Sequence, residues 1–150
     1  MTDLVSPDCC TLSNYFSIKT TSIDLDLTIA FPSTPSKPGI ISGTAKHSFV
    51  AQEPIDHVIL DTSFLKINKI FSGSTSLDYT LAKRKEPYGS ALTIQLPKQL
   101  DKEETTEFSI EYETTDFCTA VQWLNPEQTF GRKYPFMYLK SIVPCFLVDF

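Results

Sequence analysis

The chain has 150 residues, enough for one domain with a real core and too few for two comfortable ones. Apolar residues make up 41% and charged residues 21%, ordinary globular proportions that exclude disorder of the whole chain. The formal net charge of -5 argues against nucleic-acid binding, because a phosphate backbone is held by clustered Lys and Arg.

Met1 to Cys10 has neither the basic start nor the apolar run of a signal peptide. No window approaches the ~20 apolar residues of a membrane helix. Asn14, Asn68 and Asn125 all miss the glycosylation pattern. The expectation is a cytoplasmic protein with no membrane partner. Residues 1–20 read as an N-terminal arm. Ile23, Leu25, Leu27 and Ile29 then alternate with Ser22, Asp24, Asp26 and Thr28, which predicts a half-buried strand with an acidic outer face. Pro32, Pro35 and Pro38 make Phe31 to Gly39 a loop or edge excursion, because proline cannot donate to a ladder.

A second strand is predicted from Ile40 to Ala51. Gly43 and Ala45 on its inward face imply a close approach of another sheet or a bulge. Val58, Ile59 and Leu60 centre a short apolar strand. In the next, Leu65, Ile67, Lys69 and Phe71 share a face. Leu77, Tyr79 and Leu81 form another, followed by the basic run Lys83-Arg84-Lys85, which meets Glu86 and reads as a solvated turn. Leu92, Ile94 and Leu96 make a strand halted by Pro97. Phe108, Ile110 and Tyr112 alternate against Glu107, Ser109, Glu111 and Glu113. No amphipathic helix competes; Lys98 to Thr106 is nearly all polar. The fold class is all-β, an antiparallel sandwich or saddle.

The catalytic inventory is thin. His47 and His57 are the only histidines, and H-E-x-x-H, which sets two zinc ligands one helical turn apart, is absent. Each imidazole reads as a satisfied or surface group. Cys9, Cys10, Cys118 and Cys145 contain no C-x-x-C and no disulfide framework, so reduced thiols are expected. Glu103, Glu104, Glu107, Glu111 and Glu113 point outward by alternation, whereas general-acid work needs a buried or coupled carboxylate. No catalytic residue, metal ligand or cofactor is assigned.

The stretch Ala120 to Tyr138 is the exception. It concentrates Trp123, Phe130, Tyr134, Phe136 and Tyr138 in an irregular segment. Two uses compete for these rings: closing the core and facing a partner domain.

Several pieces carry a resemblance in order and spacing. They are Ser42-Gly43-Thr44-Ala45, Val58-Ile59-Leu60-Asp61-Thr62, Tyr88-Gly89-Ser90-Ala91-Leu92, Ile94-Gln95-Leu96-Pro97, and above all Ala120-Val121-Gln122-Trp123-Leu124 with Pro126-Glu127-Gln128-Thr129, Gly131 and Tyr134-Pro135-Phe136. From Leu25 to Tyr138 the chain resembles the N-terminal β-domain of leukotriene A-4 hydrolase-type zinc aminopeptidases. The resemblance implies a non-catalytic β saddle over residues 21–138. Its partner would be a helical catalytic domain that carries the zinc, removes N-terminal residues from peptides and hydrolyses epoxides. It also casts the five rings as the domain interface. After Tyr138 the chain departs from the family: Ile142-Val143-Pro144-Cys145 arrives early and Phe146 to Phe150 is unrelated. Residues 139–150 are therefore read as a divergent tail of a truncated product. The alternative from another class is a stand-alone β-sandwich protein-interaction module.

Overall fold

The computed structural model describes residues 11–32 and 37–139. Cys9, Cys10, Cys145 and nearly all of the tail read as divergent lie outside those residues, as does the middle of the Pro-rich loop. In chain order the strands are β1 (Ile18–Ala30), β2 (Ile40–Ala51), β3 (Ile55–Thr62), β4 (Leu65–Ser72), β5 (Thr75–Ser76), β6 (Tyr79–Leu81), β7 (Ser90–Leu100), β8 (Thr105–Thr114), β9 (Val121–Leu124) and β10 (Phe136–Leu139). One 3₁₀ turn, Pro126–Gln128, interrupts them.

The strands form an antiparallel all-β sandwich of unequal layers. The large sheet has the order β1-β2-β8-β4-β5, the small one β3-β7-β6, and β9 pairs with β10 alone. Period-two alternation sends one side of each strand into the gap between layers. From β2 come Ala45, His47, Phe49 and Ala51, and from β8 come Phe108, Ile110 and Tyr112. Val58 and Leu60 of β3 and Leu92 and Ile94 of β7 are likewise buried. The ring centroids of Phe49 and Phe108 lie 5.2 Å apart across the β2–β8 pair, a contact that adds to what their burial contributes.

Four local readings are corrected by the structure. In β4, a bulge between Ile67 and Lys69 flips the phase. Ile70 is therefore the fully buried residue opposite Ile110, while Lys69 is exposed. Pro97 does not stop β7, which continues to Leu100. The β3–β7 ladder jumps from His57–Gln95 to Ile55–Leu100, so the proline falls where the pairing is already interrupted. Leu77 to Leu81 is not one strand. Thr75–Ser76 pairs with β4 and Tyr79–Leu81 with β7, and buried Leu77 marks the crossing between layers. Gly43 answers to β1 and not to the other sheet: a Cβ there would sit 2.0 Å from the Asp26 carbonyl oxygen.

The described part of the arm is docked. β3 is the edge of the small sheet, and its open groups need partners. The Asn14 side chain serves two of them: its Oδ1 accepts from the Ile59 N–H at 2.8 Å and its Nδ2 donates to the His57 carbonyl at 3.3 Å. The buried Asp61 carboxylate accepts from the Thr11 hydroxyl at 2.5 Å and the Leu12 N–H at 3.0 Å. β1 starts at Ile18, inside the span read as arm, because Ile18 pairs with Ala51. Asn14→Ala removes both edge bonds and should cost about 1–3 kcal/mol. Urea unfolding of the variant beside the native chain measures it.

Candidate functional site

β9 and β10 are short because both strands run into turns. At one end Asn125 starts the 3₁₀ turn: its carbonyl accepts from the Gln128 N–H at 2.9 Å, and its own N–H donates to Gln128 Oε1 at 2.9 Å. The Thr129 hydroxyl lies 2.8 Å from the Pro126 carbonyl oxygen and 2.9 Å from that of Tyr134. Gly131 and Arg132 then take left-handed conformations, φ 82° and 51°. The loop is thus tied to itself without burying its rings.

The register splits the aromatic cluster. Met137 pairs with Trp123, while Phe136 pairs with Leu124 and Tyr138 with Gln122. Trp123 therefore faces one side of the ribbon and Phe136 and Tyr138 the other. Trp123 is half-buried. Its indole meets the Phe31 ring edge-on at 5.5 Å and lies against Gly39, where a Cβ would come within 2.5 Å of Cζ2. It seats the ribbon on the end of β1 and the start of β2. The other four rings are exposed: Phe130 is fully open at the loop, Tyr134 77%, Phe136 55% and Tyr138 39%. The structure thus brings Phe136 and Tyr138 together on one face and places Trp123 on the opposite one.

Sequence reasoning missed Phe31 and Gly39 as the seat of this ribbon. A glycine after proline was the available signal, but it reads first as a turn. A cleft of about 520 Å³ opens beside the contact, lined by Gly39, Trp123, Gln122, Asp116 and Phe117 among others. Phe117 is 73% exposed and lies beside Phe64, over which the Arg84 guanidinium sits at 3.9 Å. Arg84 also donates to Glu86 and to the Ser63 hydroxyl, so it serves as a clamp on the turn.

Neither histidine and none of the strand-face glutamates sits in a catalytic arrangement. His47 is 1% exposed and stacked on Phe49 at 5.6 Å, and neither ring nitrogen has a hydrogen-bond partner among the described residues. Burial holds its pKa down to about 4. His57 is in the other sheet, with Nδ1 2.6 Å from the Asp56 carboxylate. That contact holds Asp56 below its ordinary range. The two imidazoles do not converge, and one is sealed among rings, so these residues do not fit a zinc site. Glu107 pairs with Lys46 at 3.1 Å and Glu113 with Lys66 at 2.6 Å. The Asp101 N–H and then Lys98 hold Glu104 below the carboxylate range. These are surface pairs on an outer face, worth little individually. Burial pushes the Tyr112 hydroxyl up to about 12.

The two-layer β-domain with its appended aromatic ribbon can be placed among known proteins. The model for the peptidase M1 N-terminal domain matches residues 15–138. The chain belongs to that family. It is 36% identical to leucine aminopeptidase 2 of Phaeosphaeria nodorum over 142 residues, covering 90% of this chain and 22% of that protein. It is 34% identical to a leukotriene A-4 hydrolase homolog of Botryotinia fuckeliana, again over 90% of this chain and 22% of that protein. The solved structure of native yeast LTA4 hydrolase superposes with a TM-score of 0.79 at 34% identity, covering 95% of this chain and 22% of that one. An M1 zinc metallopeptidase from Deinococcus radiodurans shares the fold, with a TM-score of 0.53 at 20% identity over 66% of this chain and 21% of that one. The chain therefore spans between a fifth and a quarter of the length of each of these four proteins.

Two measurements check this site. Gly39→Val forces a side chain into the indole, so the sole tryptophan should lose its seat. Its emission should shift to longer wavelength, with about 1–3 kcal/mol of stability lost. An unshifted spectrum contradicts the packing. Separately, His47 takes up its proton more readily unfolded, near 6.5, than folded, near 4. Its contribution is therefore complete above pH 6.5 and is lost as pH falls toward 4, by about 3 kcal/mol in all. His47→Phe should flatten that part of the stability–pH curve, measured by denaturant unfolding at steps between pH 7 and 4.

Proposed function

We propose that this chain is the non-catalytic N-terminal β-domain of an M1-type aminopeptidase, and that it acts by packing against a helical, zinc-bearing catalytic domain. The observation that carries the reading is the β9–β10 ribbon. Four large aromatic rings stand exposed on a hairpin whose backbone is bonded within itself and anchored by Trp123. Rings held open in this way cost solvation and fit an interface that covers them. In this reading Trp123 positions the ribbon, and Phe130, Tyr134, Phe136 and Tyr138 meet the partner domain.

The catalytic steps belong to the partner domain. When bound there, zinc would supply Lewis-acid polarisation of water for removal of an N-terminal residue. This chain's part is to hold a rigid surface against that domain. The cytoplasm is the compartment proposed. No helix among the described residues is long and apolar enough to cross a membrane.

Two experiments test the reading. The purified chain incubated with zinc and an aminoacyl-arylamide should show no turnover; sustained zinc-dependent turnover would overturn it. A chimera should place residues 15–138 in the matching segment of the Phaeosphaeria nodorum aminopeptidase. The combined changes Phe130→Ser, Phe136→Ser and Tyr138→Ser should lower the melting temperature and activity of the chimera. Exposed as these rings are, each change should move the stability of the chain alone by only about 0.5 kcal/mol or less. Equal effects on both proteins contradict the interface.

A further inference from the structure

The edge of β1 carries a second surface, independent of the aromatic ribbon. β1 is thirteen residues long and, among the described residues, pairs only with β2. From Ser22 to Ala30 no described strand pairs with its other side, where alternate backbone amides and carbonyls offer a template on which an additional strand assembles. Proline and a central bulge, two of the usual protections of an edge, are lacking: there is no proline within β1, and its one register shift lies at Thr20/Ser22, near its start, so the exposed charges are what guard it.

The two faces of this edge specify what fits it. On the inner face, Leu25 is 53% and Ile29 43% exposed, although their β2 partners Ala45 and Ile41 are buried. Leu27, between them on the same face, is half-buried against the core, so this face is covered only in part. On the outer face stand Asp24 and Asp26, both exposed. Lys46, directly opposite Asp24, turns instead to Glu107 at 3.1 Å. Neither aspartate has an ion pair among the described residues. A second copy of the chain is disfavoured. An antiparallel pair centred on Leu25 would set Asp24 against Asp26 twice, and like charges directly opposite repel.

We propose that β1 is a docking edge for an extended segment of another polypeptide, in which apolar residues alternate with Lys or Arg. Its backbone would complete the β1 ladder, its apolar side chains would extend the Leu25–Ile29 surface, and its basic side chains would lie beside Asp24 and Asp26.

The test uses the full 150-residue chain and two capped decapeptides, one alternating Val and Lys, the other Val and Glu. Fluorescence polarisation should show the Lys peptide binding roughly three- to tenfold tighter than the Glu peptide. Binding should slow hydrogen exchange at alternate β1 amides. The double variant Asp24→Lys and Asp26→Lys, at exposed positions that leave the core intact, should reverse the preference. Equal affinity for both peptides, no binding of either, an unchanged preference in the variant, or protection confined to another strand would each overturn the proposal.

Discussion

A three-stranded sheet lies on a five-stranded one, and it is too narrow to cover it. The open apolar face at the β1 edge follows from this mismatch. Where the layers overlap, β2 and β8 bury His47, Phe49, Phe108, Ile110 and Tyr112, and the core closes. Where they do not, the inner face of β1 stays open at Leu25 and Ile29. A domain folded alone would be expected to close or shorten such an edge. This one instead places an aromatic ribbon on one corner, with Trp123 against Phe31 and Gly39.

That arrangement separates two kinds of work within a single cluster of rings. Trp123 turns inward and fixes the ribbon, while Phe136 and Tyr138 turn outward from the same two strands. The Asn125–Gln128 and Thr129–Tyr134 hydrogen bonds tie the loop to itself without hiding Phe130. A pre-organised aromatic surface loses less side-chain freedom on docking than a mobile one would. Several titratable groups, by contrast, are spent on structure: Asp61 holds the arm, His47 fills a ring stack, and Glu107 and Glu113 pair with Lys46 and Lys66.

The fold was legible because alternation is strict wherever one face is buried. β2, from Ile40 to Ala51, and the inward set Phe108, Ile110 and Tyr112 read directly from period two. Legibility failed where the backbone departs from that period. The β4 bulge reverses the faces after Ile67, and Pro97 hides in a gap of the β3–β7 ladder. The change of sheet at Leu77 depends on which neighbour is near, which local pattern does not encode. The half-buried strand expected at Ile23 to Ile29 shows two exposed apolar residues because burial depends on the width of the facing sheet. The aromatic cluster stood out in composition, but its split into anchor and outward face depends on the β9–β10 register.

The central claim is that the outward rings form a domain-docking face. Hydroxyl-radical footprinting of the chain alone and of the chimera with the aminopeptidase catalytic portion tests it most directly. Phe130, Tyr134, Phe136 and Tyr138 should oxidise rapidly in the chain alone and fall severalfold in the chimera, while buried Phe49 and Phe108 stay slow in both. Unchanged oxidation of the four rings in a folded, active chimera would contradict the account.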